Sequence, residues 1–273
     1  VKKLLLLAIT AVLVAALAAC GGKEKDGNGK ELVVGASNVP HAQILEKAKP
    51  ILKKKGIDLK IVKYQDYVVP NQALDSGDLD ANYFQHIPYL KSQMKEHGYK
   101  FANAGAIHIE PIGIYSKKYK SLDDLPKGAT ILMSSSVADH GRILAMLEKK
   151  GLIKLKPGVD KVTATVKDIT DNPKKLKFDY QYEASFLPQA YKNGEGDAVV
   201  INSNYAIDVG LDPQKDTIAL EDKDSPYANV IAVRKGDENK KNIKTLVDVL
   251  HSKEIQDYIK KEWHGSVVPV SGK

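Results

Sequence analysis

The chain predicts an α/β protein of two similar lobes facing a common cleft. Three observations carry this. A strand-helix-strand order opens the body of the chain at Glu31, the same order returns at Ala129, and a short segment of the first half is echoed in the second. Strands that alternate with helices imply a parallel sheet with helices packed on it.

Glu31 to Ala36 (ELVVGA) is apolar and β-rich, and reads as a strand. Residues 37–39 form a loop, and Pro40 suits the first position of a helix. That helix runs to Lys55 with Ile44, Ala48, Ile51 and Leu52 on one stripe. Gly56 ends it, after lysines that complement the helix C-terminus. Leu59 to Tyr64 reads as the second strand. In the second half Ala129 to Ser134 is a strand, residues 135–139 a loop, and His140 to Lys150 a helix with Ile143, Leu144 and Leu147 inward. Lys149-Lys150-Gly151 closes it as Lys54-Lys55-Gly56 closes the first.

The echo pairs residues 72–81 (QALDSGDLDA) with residues 189–198 (QAYKNGEGDA). Each predicts a short helix ending at a Gly and a strand that begins at Asp-Ala. The strands then emit Tyr83-Phe84-Gln85-His86 and Val200-Ile201-Asn202-Ser203. In open α/β sheets ligands sit beyond the carboxyl ends of the strands, against helix N-termini. Two such lobes place both sets of strand ends on one cleft, where a hinge closes them on a small molecule. His108 to Ser116 and Ala228 to Lys235 read as strands that cross between lobes. The expected boundaries are 31–112 for lobe one, 113–227 for lobe two, and 228–273 for a crossing strand and a return to lobe one.

The N-terminus carries a different signal. Lys2 and Lys3 precede a run from Leu4 to Ala19 that is apolar except for Thr10. It is short for a membrane span of ~20 residues and suits a secretory signal, residues 1–19. Leu17-Ala18-Ala19-Cys20-Gly21 resembles the bacterial lipobox, in which the cysteine is acylated and becomes the first mature residue. Cys20 is the single cysteine, so no internal disulfide forms. Residues 20–30 give the lipidated cysteine and a tether whose residues 21–30 carry no apolar side chain. The body is thus expected at the extracytoplasmic face of the cell membrane, held by its lipid.

The formal net charge of +7 comes from lysines scattered along helices with acids between them. No basic block interleaved with aromatics is present, which argues against nucleic-acid binding. No Gly-x-Ser-x-Gly elbow, Walker loop or His-Glu-x-x-His motif occurs, which argues against the corresponding enzymes.

Several residues are candidates for holding a ligand. Arg142, placed in the first turn of its helix, suits a carboxylate through its fork and the helix amides; a surface arginine is the other reading. Tyr67, Phe84, His86 and Tyr89 form an aromatic group whose rings suit a thioether or plain core packing. Asn202 and Asn204 offer donor and acceptor together, or serve as turn and cap residues. His41, His86, His108 and His140 raise a metal alternative, with His108 and Glu110 the sole close pair. No metal and no cofactor is expected. Ser134-Ser135-Ser136 admits a hydrolase reading, and the exposed lipid admits surface adhesion.

Asp66-Tyr67, Pro70 to Leu74, and Leu79 to Leu90 (LDANYFQHIPYL) resemble the NlpA family, which includes methionine-binding lipoproteins. So do Gly113 to Lys117, Leu122 to Pro126, Asn172-Pro173-Lys174, Ser225 to Asn229 and Leu250-His251-Ser252. The resemblance spans essentially the whole chain. It implies a two-lobed periplasmic-binding-protein fold (type II-like) with a hinged cleft, and an ABC importer as partner, with its permease and ATPase. It also implies methionine as ligand: Tyr67, Phe84, His86 and Tyr89 around the side chain, Arg142 on the carboxylate, and Asn202 with Asn204 on the amine and carboxylate. The loop before Arg142 departs from the family, with Ser134-Ser135 where Asn-Asp or Asn-Asn is frequent and His140 where Gln is common.

Overall fold

The structure, a computed structural model, describes residues 31–271. The signal segment, Cys20 and the tether lie outside the described residues. Among those described, no helix is long and apolar enough to cross a membrane.

The first part of the chain runs β1 (Glu31–Ser37), α1 (Gln43–Lys54), β2 (Asp58–Tyr64), α2 (Val69–Ser76), β3 (Ala81–His86), α3 (Ile87–His97) and β4 (Phe101–Ile109). The middle runs β5 (Gly113–Tyr115), β6 (Thr130–Ser134), α4 (Val137–Lys149), β7 (Lys154–Leu155), β8 (Ile169–Asp171), β9 (Lys177–Tyr182), α5 (Leu187–Asn193), β10 (Ala198–Ile201), α6 (Ser203–Asp208) and β11 (Thr217–Leu220). The chain ends with β12 (Ala228–Arg234), α7 (Lys241–Leu250), α8 (Lys253–Trp263) and β13 (Val268–Pro269).

These strands make two main sheets. One has the order β13-β4-β12-β3-β1-β2, the other β11-β5-β10-β6-β9. Apart from the edge strand β13, which has no counterpart, the two correspond strand for strand. β1 pairs in parallel with β2 and β3, as β6 does with β9 and β10. β12 lies antiparallel to β3 and β4, as β5 does to β10 and β11. Each antiparallel strand is the first one laid down after the chain changes sheet. Apolar faces of α1, α7 and α8 cover the first sheet through Ile44, Leu45, Leu246 and Ile255. α4 covers the second through Ile143, Leu144 and Leu147.

The sequence echo has a structural meaning. α2 ends at Gly77 (φ +87°) and α5 at Gly194 (φ +73°), both in the left-handed conformation where a side chain is strained. Asp80 and Asp197 follow. The Val33 amide donates to Asp80 Oδ2 and the Asp80 amide to the Val33 carbonyl, each at 2.8 Å. Thr130 and Asp197 exchange the same two bonds, also at 2.8 Å. One aspartate in each half thus clasps the start of the neighbouring parallel strand and fixes where the next strand emerges.

Three expectations are corrected. His108 to Ser116 is not one crossing strand. It is broken between β4 and β5 at Glu110-Pro111-Ile112, where Pro111 has no amide to give a ladder, and β12 lies wholly within the first sheet. The helix bearing Arg142 starts at Val137 rather than His140. Asp139 is therefore inside its first turn, where an acid complements the dipole, and Arg142 falls in the second turn. Pro40 lies in a separate wide turn, Asn38–Ala42, ahead of α1.

Candidate functional site

The segment Asp80-Ala81-Asn82-Tyr83-Phe84-Gln85-His86 assigns a task to nearly every side chain. Asp80 makes the clasp. Asn82 and Gln85 join Asn71 in a buried amide network: Gln85 Nε2 donates to both Asn71 Oδ1 (2.8 Å) and Asn82 Oδ1 (2.9 Å), and Asn82 Nδ2 to Asn71 Oδ1 (2.9 Å). This ties β3 to the start of α2 and so to Tyr67 just before it. Buried amides unpaired would cost ~1–3 kcal/mol each, so the network strongly favours one arrangement. Tyr83 turns the other way and donates to His108 Nδ1. Phe84 and His86 face a cavity.

His86 also caps α3. Its Nδ1 accepts the Tyr89 amide at 3.1 Å. The ring's proton is therefore on Nε2, which donates to Asp139 Oδ1 at 3.0 Å. Burial lowers the His86 pKa, with Asp139 pulling the other way, so the ring is a neutral donor at neutral pH. This bond joins a residue of the first sheet to one beside the second. Tyr67 makes a similar join, its hydroxyl donating to Asn204 Oδ1 at 2.6 Å.

All seven residues singled out from the sequence line this one cavity: Tyr67, Phe84, His86, Tyr89, Arg142, Asn202 and Asn204. Glu110, Asp139, Ser203 and Asn229 complete it. It is tight, with about 20 Å³ free inside. One end is apolar. The Tyr67 ring lies 5.8 Å from Phe84, 5.9 Å from Tyr89 and 5.0 Å from Tyr205 between centroids, with Ala138 packed against them.

The other end is charged. Arg142 is buried, with 5% of its surface exposed, so the surface-arginine reading fails. Its Nε and Nη2 donate to Asp139 Oδ1 at 3.0 and 2.6 Å, and its Nη1 to Glu221 Oε2 at 3.3 Å. Nη1 also reaches the Glu110 carbonyl at 3.4 Å, and the Tyr227 ring stacks 4.8 Å from Cζ. Burial works against both charges. It pushes the Asp139 carboxyl up and the Arg142 guanidinium down, yet their mutual attraction wins and holds each ionised. Arg142 thus touches both segments that join the sheets, 110–112 and 221–227. Its outer side backs a broader groove lined by Lys149, Lys161 and Tyr227.

The remaining polar atoms sort into donors and acceptors. The amide oxygens of Asn204 and Asn229 are taken by Tyr67 and His41, which leaves their nitrogens as the donors these two residues offer. Asn202 is the reverse. Its nitrogen donates to Asp139 at 3.3 Å while its buried oxygen has no partner. Glu110 is a buried carboxylate. Burial raises its pKa, offset by His41, Arg142 and the Asn204 amide.

The histidines of the metal alternative separate. His86 serves Asp139, and His140 donates to the Ser134 carbonyl at 2.9 Å. His41 and His108 do meet Glu110. But His108 Nε2 sits 2.6 Å from Glu110 Oε1, a hydrogen-bond contact. Two ligands on one tetrahedral zinc at ~2.0–2.2 Å stand about 3.3 Å apart. The residues sequence reasoning passed over are Asp139, Glu221, Asn229 and Tyr205. Asp139 carried a signal, its i,i+3 spacing from Arg142; the other three are brought in by tertiary structure alone.

Two matched sheets, joined by two short segments and sharing one cavity at their strand ends, define the two-lobed periplasmic-binding-protein class. A family-wide profile described as NlpA lipoprotein matches residues 32–271. The methionine-binding lipoprotein MetQ of Bacillus subtilis (strain 168) is 54% identical over 273 residues, 99% of each chain. The D-methionine-binding lipoprotein MetQ of Escherichia coli (strain K12) is 42% identical over 254 residues, 93% of this chain and 92% of its own. A nutrient binding protein from Burkholderia cenocepacia, solved bound to methionine, aligns with a TM-score of 0.82 at 46% identity, covering 87% of this chain and 99% of that one. The chain belongs to the NlpA lipoprotein family.

Proposed function

We propose that this protein captures methionine at the extracytoplasmic face of the membrane and delivers it to the permease and ATPase of an ABC importer. Binding is its work, not turnover. The observation that carries this is the two-ended cavity, with rings at one end and matched donors and acceptors at the other. An amino acid is a zwitterion with a side chain, and the cavity offers complements to all three parts.

In this reading the carboxylate takes the amide nitrogens of Asn204 and Asn229 and competes with Asp139 and Glu221 for Arg142. The ammonium takes Glu110 and the Asn202 oxygen. The thioether lies among Tyr67, Phe84, His86 and Tyr89, where sulfur-aromatic contacts are worth ~0.3–1.5 kcal/mol each. Residues 31–112 with 228–273 act as one lobe and 113–227 as the other, flexing at 110–112 and 221–227. Acylation at Cys20 and the tether keep the body near its transporter. Support comes from the methionine-named relatives and the methionine-bound neighbour.

The test is native mass spectrometry of gently purified protein, followed by release and identification of the bound molecule. One methionine per chain is the expected result, in the L form. A methionine dipeptide or the D isomer would move the specificity. A sugar, a metal or no amino acid at all would overturn the reading.

A further inference from the structure

We infer that His108, His41 and Tyr83 are positioning residues that aim the Glu110 carboxylate at a ligand ammonium, and so set a preference for amino acids over their desamino counterparts. This rests on the amino-acid reading of the cavity. Glu110 lines the cavity and lies on the segment that joins the two sheets. Its Oε1 receives His108 Nε2 at 2.6 Å and His41 Nε2 at 3.2 Å.

The proton positions follow from the partners. Burial raises the Tyr83 hydroxyl pKa well above its ordinary value, so the phenol keeps its proton and donates it to His108 Nδ1. With Nδ1 an acceptor, the His108 proton sits on Nε2, aimed at Glu110. His41 Nε2 faces two oxygens, Asn229 Oδ1 at 3.2 Å and Glu110 Oε1. A lone pair there would meet two acceptors, so this nitrogen carries its proton too. Burial lowers the pKa of His41 to about 4 and that of His108 to about 3. Both rings are therefore neutral donors at neutral pH. They orient the carboxylate and favour its ionised form without cancelling its charge.

Asp139 shows the contrast. Its oxygens take Arg142, His86 and Asn202, and its charge is matched by the guanidinium. Among the described residues no Lys or Arg side chain bonds the Glu110 carboxylate; Arg142 reaches only its main-chain carbonyl. A buried carboxylate that is hydrogen-bonded but not charge-paired favours a cation beside it. A primary ammonium suits the cavity it lines.

Calorimetric titration of L-methionine and of 4-(methylsulfanyl)butanoate, which lacks only the amine, tests this. Wild type is expected to prefer methionine strongly. His108→Phe should cut methionine affinity by roughly tenfold and leave the desamino acid unchanged. His108→Gln, whose amide nitrogen reaches the Nε2 position, should restore most of the loss. Tyr83→Phe frees His108 to move its proton and should shift the ratio the same way by less. It removes one oxygen only, so it decides the matter if His108→Phe does not fold. A preference that survives both Tyr83→Phe and His108→Phe, or equal losses for both ligands, overturns the inference alone. A wild type that binds neither ligand overturns the amino-acid reading as well.

Discussion

The two sheets share a strand order and a clasp, and differ in what leaves their central strands. β3 emits Phe84 and His86, and the chain before it brings Tyr67, so the first half supplies the rings. β10 emits Asn202, Ser203 and Asn204, and α4 adds Asp139 and Arg142, so the second half supplies most of the polar groups. The shared parts, Asp80 with Gly77 and Asp197 with Gly194, lie at the opposite ends of those strands. The repeated residues thus build two equivalent platforms, and the residues that diverge carry the chemistry. Changes to the clasps should therefore cost stability and spare affinity, while changes beyond the strand ends should cost affinity first.

The largest effect is expected at the polar end of the second half. Arg142→Ala removes the fork and strands the Asp139 and Glu221 carboxylates in a buried setting. Calorimetry should show methionine affinity down by about 100-fold or more, and thermal unfolding a loss of roughly 3 kcal/mol, as is usual when one partner of a buried ion pair is deleted. Unchanged affinity would remove Arg142 from the site.

Gly141→Ala comes next. A Cβ there would meet the carbonyl oxygens of Lys161 and Val162 at 2.2 and 2.6 Å. Both are backbone and cannot swing aside, so α4 must shift, at about 1–3 kcal/mol. Because Arg142 is the next residue, affinity should fall with it, measured on the same samples. A stable variant of full affinity would show that α4 has slack.

Much of the fold was legible in the sequence. The 72–81 and 189–198 echo pointed to paired units because its Asp and Gly have local backbone roles that sequence spacing records. The sequence places the start of α4 too late because residues 135–139 read as a loop, and the attachment of Asp139 to His86 and Asn202 is tertiary. The break at Glu110-Pro111-Ile112 was hidden inside an apolar run that satisfies the strand pattern, although Pro111 marked it. The seven candidate side chains do share one cavity, but the competition of Asp139 and Glu221 for Arg142 is invisible to any spacing rule. Glu221 and Arg142 are 79 positions apart.

Asp80→Ala and Asp197→Ala sharpen the comparison directly. Each removes one side-chain bond to a strand amide and should cost about 1–2 kcal/mol by denaturant unfolding, with methionine affinity within about twofold of wild type. Unequal costs would mean that the two clasps are not equivalent.

The last effect is one of pH, and it acts on stability with no residue changed. His41 and His108 titrate near 6.5 in an unfolded chain but at about 4 and about 3 in the fold. The folded state therefore binds fewer protons over that window, and stability falls as the pH drops from 6.5 toward 4. Glu110, raised by burial, opposes this in the carboxylate range. Melting temperatures across pH 7 to 5 should decline, and His108→Gln should flatten the decline. A melting temperature that rises on acidification would contradict the neutral-donor assignment.

The most direct test of the whole account is a crystal structure of the protein with L-methionine. The carboxylate is expected on Arg142 and Asn204, the ammonium beside Glu110, and the methylsulfanyl group among Tyr67, Phe84 and Tyr89. An amino acid seated instead in the groove behind Arg142, or turned with its tail toward the guanidinium, would contradict it.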